Sequence, residues 1–466
     1  MLFSGIPFLF YFLPCVLTVY FLAPRKLKNT VLLLFSLVFY GWGEPKYLIL
    51  MIASILVGYF SGLLIEAFSE KRIARLILCI NVAINLSFFG VFKSADFFLE
   101  NSNAATGLSV PLLKLALPIG ISFYTFQLLS YTVDVYRKQV PAQKNLINLA
   151  AYISMFPQLI AGPIVRYTDI AKQLKERTHS FENFALGMRR FVTGLGKKVL
   201  IANVLGELCD AFYKTADPSV LFCWLYAVAY CLHVYFDFSG YSDMAIGLGR
   251  MFGFHFTENF NYPFIAKSAT EFWRRWHISL GTWFRDYVYI PMGGNRVPLP
   301  RHLFNIFTVW MLTGFWHGAA WNYVIWGVFF AVLLILEKQF LLKFLNRSRL
   351  LSHLYLLAMA GISFVIFGSE DFTEMGARLG GMLGLQKLPL VSAEALYQLR
   401  NFAPILILAV LGATPLPKML FDRLSDKPSA KKALTVLEPV AMVSLLTLIT
   451  AYLVDGSFNP FLYFRF

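Results

Sequence analysis

The sequence predicts an all-α, polytopic membrane protein. Three observations predict it: 58% of the 466 residues are hydrophobic, 17% are aromatic, and the mean hydropathy is +0.62. Soluble globular chains run nearer ~45–50% apolar. A bilayer core of ~30 Å takes about 20 apolar residues as a helix, and runs of that kind recur from one end of the chain to the other. Residues 1–466 therefore read as a single integral domain, with 139–318 as a central core of re-entrant and amphipathic segments.

The formal net charge is +15, from 41 Lys and Arg against 26 Asp and Glu. In a soluble protein that excess would point to nucleic acid. Here it is assigned to cytoplasmic loops, where basic residues of membrane proteins concentrate, and no nucleic-acid partner is expected. Five cysteines (Cys15, Cys79, Cys209, Cys223, Cys231) all sit in apolar stretches and show no Cys-x-x-Cys spacing. Neither disulfides nor a metal site is expected.

Leu2–Ala23 lacks a basic leader and a small-residue cleavage site before Pro24-Arg25-Lys26, so it reads as a retained span rather than a signal peptide. With Arg25-Lys26-Leu27-Lys28 inside, spans near 30–43 and 47–67 return the chain to Glu70-Lys71-Arg72, and spans near 76–94 and 112–135 return it to Arg137-Lys138. Both basic clusters then fall inside, as the positive-inside rule requires. Leu146–Ile170 is broken by Pro157 and Gly162-Pro163 and has basic residues on both flanks. That pattern fits a re-entrant hairpin whose Phe156–Pro163 lines an internal passage, with a short surface helix as the alternative.

Spans near 188–210 and 219–238 follow, then an inward-facing region, Ser239–Arg301, with no lipid-compatible run. Further spans near 303–319, 321–338, 350–368, 403–420 and 433–454 bring the total to about 11–12 and leave Pro460–Phe466 on the outer side.

On a wheel of ~100° per residue, Trp273, Trp276, His277, Leu280, Trp283, Phe284 and Tyr287 share one face, while Arg274, Arg275, Thr282, Arg285 and Asp286 share the other. This predicts one amphipathic helix at the cytoplasmic interface. The plain reading is an anchor resting on membrane lipids. His277 on the apolar face is a functional candidate or a core histidine bonded to a carbonyl. Arg274, Arg275 and Arg285 suit the phosphates of a cytosolic cofactor, because guanidinium matches phosphate in bidentate geometry, and anionic lipid heads would satisfy them equally.

The stretch Thr313-Gly-Phe-Trp-His317-Gly-Ala-Ala-Trp-Asn322 places an imidazole in an otherwise apolar run. Ionisable groups at membrane depth are expensive to keep, which makes His317 the leading catalytic candidate. From Leu303 a rise of ~1.5 Å per residue carries it about 21 Å up, towards the outer part of the bilayer. The competing reading is a histidine bonded to a neighbouring helix, with Trp316 as packing.

Several motifs are missing. No histidine fits His-x-x-x-x-Asp, there is no Gly-x-Ser-x-Gly elbow, and His-Glu-x-x-His is absent. Gly194-Leu-Gly196-Lys197-Lys198 lacks both the spacing and the Ser/Thr of a phosphate loop. Soluble-type acyltransfer, serine hydrolysis, zinc proteolysis and ATP-driven transport are thereby disfavoured.

Five stretches carry a resemblance: Leu117-Pro-Ile-Gly-Ile-Ser-Phe-Tyr-Thr-Phe126, Phe156-Pro-Gln-Leu-Ile-Ala-Gly-Pro163, Tyr235-Phe-Asp-Phe-Ser-Gly-Tyr-Ser-Asp-Met-Ala245, Phe272-Trp-Arg-Arg-Trp-His-Ile-Ser-Leu-Gly281 and Gly314-Phe-Trp-His-Gly318. Together they resemble the membrane-bound O-acyltransferase (MBOAT) family. Arg285-Asp-Tyr-Val-Tyr-Ile-Pro-Met-Gly-Gly-Asn-Arg296 and the chain length favour its alginate O-acetyltransferase-like branch. The resemblance implies a helical rosette with a central funnel and re-entrant helices, His317 at the funnel's neck and His277 at a second polar position. It also implies acetyl transfer from cytosolic acetyl-CoA across a bacterial inner membrane. An SGNH-type partner outside the membrane would complete O-acetylation of a polysaccharide, and alginate, cellulose, peptidoglycan and a secondary wall polymer all remain open as acceptor.

The chemistry needs a hydroxyl made nucleophilic and a developing oxyanion stabilised. A neutral imidazole in an apolar site can supply the base. Asn322, Tyr241 and Tyr323 are candidates for the oxyanion or substrate. The alternative from another class is a glycan or lipid transporter, or a structural subunit of an exopolysaccharide export complex, which buried polar residues and a re-entrant hairpin would also suit.

Overall fold

Backbone amides inside a bilayer must be satisfied without water, and among the described residues every regular element is a helix. The computed structural model describes residues 3–456, so Pro460–Phe466, expected on the outer side, lies outside the described residues. The chain divides into two compact units, Met1–Phe191 with Met244–Thr257, and Val192–Asp243 with Glu258–Phe466.

The first unit holds α1 (Leu13–Leu22), α2 (Lys28–Gly43), α3 (Leu48–Ala67), α4 (Arg72–Thr106), α5 (Ile121–Tyr136), α6 (Leu146–Ser154), α7 (Phe156–Leu159) and α8 (Tyr167–Lys175). Helix α9 (Phe181–Gly196) leads out of it through a π-helical segment, Lys197–Ala202, into α10 (Asn203–Lys214). The second unit takes most of α11 (Val220–Met251), then α12 (Ala269–Trp273), α13 (Ile278–Phe284), α14 (Leu299–His317) and α15 (Trp321–Leu336). It ends with α16 (Leu342–Leu345), α17 (Arg349–Phe367), α18 (Phe372–Met382), α19 (Ala393–Gly412), α20 (Leu416–Ser425) and α21 (Pro428–Asp455).

Among the described residues, seven helical stretches are long and apolar enough to cross a membrane: Leu48–Ala67, Arg72–Thr106, Val220–Met251, Trp321–Leu345, Arg349–Phe367, Ala393–Gly412 and Lys432–Asp455. The protein is thus an all-α, multi-pass membrane protein. The other segments counted as spans from sequence are shorter, broken or more polar. Helices α2 and α5 hold 16 residues each, residues 8–22 form a short apolar helix with a π-helical start, and 188–210 is interrupted at Lys197–Ala202. Helix α14 has 19 residues but carries Arg301, His302 and Asn305 in its first half.

Burial separates the helices by environment. The apolar window of α21 is 6% buried and that of α4 is 11%, whereas that of α11 is 78% buried. The first two present side chains outward, which hydrocarbon accepts. Helix α11 instead carries polar groups into the protein: His233, Asp237, Ser239 and Ser242 are all buried on it. Helix α5 does the same in the first unit, enclosing Ser122, Thr125, Gln127, Ser130, Thr132 and Asp134. The Leu146–Ile170 region forms two helices of nine and four residues, α6 and α7, before the start of α8 at Tyr167, with residues 149–165 buried. Neither helix has the length to span ~30 Å, in keeping with a re-entrant element.

Candidate active site

Helices α14 and α15 form a tight hairpin because two glycines let their backbones meet. A Cβ on Gly314 would lie 2.4 Å from the Tyr323 carbonyl oxygen, and one on Gly327 would lie 2.6 Å from that of Trp310. Small residues at such crossings are a common device of membrane helices. The hairpin places His317 as the last residue of α14, with Gly318 continuing in extended backbone.

The His317 ring meets three aromatic rings edge-on: Trp316 at 5.0 Å, Trp326 at 5.2 Å and Phe367 at 5.1 Å between centroids. It is partly exposed. Asn322, in the first turn of α15, donates from Nδ2 to the Phe367 carbonyl at 2.9 Å. Its Oδ1 is buried and accepts nothing. The Tyr323 ring packs edge-on against Phe367 at 5.0 Å and is 7% exposed. Helix α15, through Trp326, and the end of α17, through Phe367, therefore converge on one histidine.

The expected amphipathic helix, read from Trp273 to Tyr287, is broken at His277. Helix α12 stops at Trp273, α13 starts at Ile278, and His277 between them has φ +45°, in the left-handed region. A non-glycine residue held there costs on the order of 1–3 kcal/mol and persists only where its surroundings over-determine it. Here they do. Ile278 N–H donates to the Asn259 carbonyl at 3.0 Å and Asn261 N–H to the Arg275 carbonyl at 2.9 Å. The Asn259 side-chain Oδ1 accepts from Ser279 N–H at 3.2 Å and Ser279 Oγ at 2.9 Å, while its Nδ2 donates to Ser242 Oγ at 3.1 Å.

That network also sets the histidine tautomer. His277 Nδ1 lies 3.2 Å from Asn259 Oδ1, an acceptor, so Nδ1 carries the hydrogen. Nε2 is left as a bare lone pair, buried and without a partner. The residue is 2% exposed, and burial pushes its pKa down to about 3, so the ring is neutral at physiological pH. Phe238 packs edge-on at 4.7 Å and Trp316 at 5.7 Å. Trp316 thus touches both His277 and His317, and the two histidines read from sequence flank a single indole.

Three supporting groups have no signature in the sequence reading: Asn259, Glu337 and the Lys198–Asp237 pair. Glu337 is fully buried where α15 passes into a π-helical turn. Its carboxylate accepts from Ala269 N–H at 2.5 Å, Thr270 N–H at 2.9 Å, Thr270 Oγ at 2.6 Å and Tyr355 OH at 3.0 Å. It holds the first turn of α12, eight residues before His277. Lys198 and Asp237 form an ion pair at 2.5 Å, and Lys197 reaches Asp243 at 2.6 Å. Both lysines open the π-helical segment, and each engages a carboxylate of α11.

The remaining candidates are spread out. Arg274 is exposed at the end of α12. Arg275 is bound to Glu271 at 2.8 Å and to the Asn261 carbonyl at 3.1 Å. Arg285 is bound to its neighbour Asp286 at 2.7 Å. Tyr241 is buried on α11, one turn beyond Asp237. Among the described residues no group of three or more His, Cys, Asp or Glu side chains is arranged to hold a metal ion.

Comparison with known proteins gives a consistent picture. The model of the membrane-bound O-acyltransferase family matches residues 124–369, which include both histidines. The chain is 38% identical to the probable alginate O-acetylase of Azotobacter vinelandii and 38% identical to that of Pseudomonas putida, each over the full length of both chains. It is 34% identical to the peptidoglycan O-acetyltransferase of Helicobacter pylori, across 90% of this chain and 87% of the relative.

Proposed function

The chain belongs to the membrane-bound O-acyltransferase family, in its alginate O-acetylase-like branch, and we propose that it passes an acetyl group from cytosolic acetyl-CoA across the membrane to a polysaccharide outside. It is an O-acyltransferase. The alginate and peptidoglycan named for its relatives support a glycan acceptor. Their bacterial sources support the inner membrane as its location. An SGNH-type partner protein on the outer side would receive the acetyl group or direct it to the glycan.

The observation that carries the mechanism is the contrast between the two histidines across Trp316. His317 ends its helix partly exposed in a cage of three aromatic rings, while His277 is sealed beside it with one fixed tautomer. His317 is the general base. It takes the proton from the acceptor hydroxyl as that oxygen attacks the thioester carbonyl; the carbon–sulfur bond then breaks, and the proton passes to the leaving thiolate. Such general-base assistance is worth typically ~10²–10⁴ in rate.

His277 Nε2 and Asn322 Oδ1 are acceptors, so each suits a substrate hydroxyl or amide N–H rather than an oxyanion.

The test uses purified full-length protein in nanodiscs with radiolabelled acetyl-CoA. Wild type releases CoA and transfers label to a glycan oligosaccharide; His317→Ala abolishes both while inserting and accumulating normally. Retained transfer by folded His317→Ala would sink the assignment. A transporter would leave the thioester intact.

A further inference from the structure

Apart from the histidine pair, three basic side chains converge on one tyrosine within the unit formed by Met1–Phe191 and Met244–Thr257. Tyr20, fully buried near the end of α1, donates its hydroxyl hydrogen to the Phe252 carbonyl at 2.8 Å. The same oxygen accepts from Arg177 Nε at 2.8 Å and lies 2.9 Å from His179 Nε2. Since the tyrosine hydrogen is already used, His179 Nε2 must carry a hydrogen and donate. The Tyr20 backbone carbonyl accepts from Lys28 Nζ at 2.8 Å, and that ammonium stands 4.3 Å from the ring centroid. Arg25 is exposed in the turn just before Lys28.

The cluster lacks its counter-charge. Among the described residues no carboxylate pairs with Arg25, Lys28, Arg177 or His179. Arg177 spends Nη1 on Asn29 Oδ1 at 2.7 Å and the Gln173 carbonyl at 3.3 Å, yet its Nη2 is enclosed with no acceptor. Lys28 has used one of three ammonium hydrogens on Tyr20. The cations also strain one another: burial, then the charges of Arg177 and Arg25, hold Lys28 below the usual lysine range. Burial, then Lys28 and Arg177, lower His179 in the same way. Basic residues gather on the cytosolic side of membrane proteins, which places this group where phosphate-bearing solutes and anionic lipid heads are both found.

We propose that Arg25, Lys28, Arg177 and His179 form a phosphate-binding site, gathered on Tyr20. Arg177 supplies the oriented guanidinium donor, Lys28 and Arg25 the point charges, and His179 a further donor once the anion restores its proton. By contrast Arg275 and Arg285, expected from sequence to serve phosphate, are already occupied by Glu271 and Asp286. The site stands independently of the transfer chemistry assigned to His317.

The experiment measures binding to the full chain in two arms. In nanodiscs of phosphatidylcholine, thermophoresis compares CoA with pantetheine, which has the same thiol arm but no phosphate. In detergent, native mass spectrometry counts retained phosphatidylglycerol against phosphatidylcholine. Lys28→Gln and Arg25→Gln remove charge at the rim, and Arg177→Lys keeps charge without the fork. Arg177→Ala is avoided because it also unties Tyr20 and Asn29. The expected result is a loss on the order of tenfold per variant, that of one charge-assisted hydrogen bond, for whichever phosphate ligand binds. Loss in the CoA arm with pantetheine unchanged names a soluble phosphate compound, and loss in the lipid arm names a headgroup. A folded Lys28→Gln/Arg25→Gln double variant that binds CoA and phosphatidylglycerol as wild type does overturns the site.

Discussion

Lys198 Nζ and Asp237 Oδ1 stand 2.5 Å apart with side chains 2% and 1% exposed, joining the π-helical segment after α9 to α11. An ion pair so enclosed is costly to break from one side, since the partner is left as an uncompensated charge. Asp237→Leu or Lys198→Met alone is expected to lower stability by about 3–5 kcal/mol. The double change to Lys198→Met/Asp237→Leu recovers most of that loss. Thermal unfolding of the detergent-solubilised variants, followed by size-exclusion chromatography, checks the non-additivity.

Burial of His277 makes stability depend on pH in one direction. Its folded pKa, about 3, lies below the ordinary 6.5, so between those values the unfolded chain binds one more proton than the folded one. This contribution is fully present above pH 6.5 and is lost as pH falls towards 3, with a limiting slope of about 1.4 kcal/mol per unit. His277→Asn, which tolerates the left-handed backbone, should flatten the profile. Unfolding midpoints from pH 7 to pH 4 for the two proteins decide it; parallel curves would refute the claim.

Glu337→Gln replaces one of two acceptor oxygens with an NH₂ group facing the donors of Ala269, Thr270 and Tyr355. The expected loss is about 1–3 kcal/mol, that of an unsatisfied buried donor. Because Glu337 acts through α12 rather than on substrate, kcat should fall with little change in KM. An unaltered kcat in a folded variant would show that the brace is not coupled to His277.

Gly327→Ala places a methyl 2.6 Å from the Trp310 carbonyl oxygen, against backbone that cannot swing away. Over-packing of this kind costs about 1–3 kcal/mol. Transfer activity should drop with stability, whereas Gly376→Ala, with nothing within 4 Å of the added carbon, serves as the silent control. Equal behaviour of the two variants would contradict the close helix contact.

Hydrophobic periodicity made most of the fold legible. The hairpin of α14 and α15 was expected near 303–319 and 321–338, and forms at Leu299–His317 and Trp321–Leu336. His317 stood out because an imidazole interrupts an apolar run, a local signal. The break at His277 was illegible for the opposite reason: the pattern from Trp273 to Tyr287 is locally helical, and the bonds that override it come from Asn259, some 18 residues upstream. Glu337 lies 68 residues from the amide it caps, and Lys198 is sequentially remote from Asp237. Polar partners chosen by tertiary contact leave no periodic trace. Helix α5 is buried along almost its whole length, and apolar composition alone cannot tell such enclosure by protein from enclosure by lipid.

The backbone contact between Gly314 and Gly327 leaves no room for α14 and α15 to slide past each other. A bilayer that thickens or thins must then tip the pair as one rigid rod, since tilting relieves mismatch at modest energy while prising the strands of the rod apart does not. The spacing of His317 from Asn322 and Trp326 is thereby insulated from lipid composition, and what the surrounding membrane changes is the rod's inclination, not the geometry at its tip.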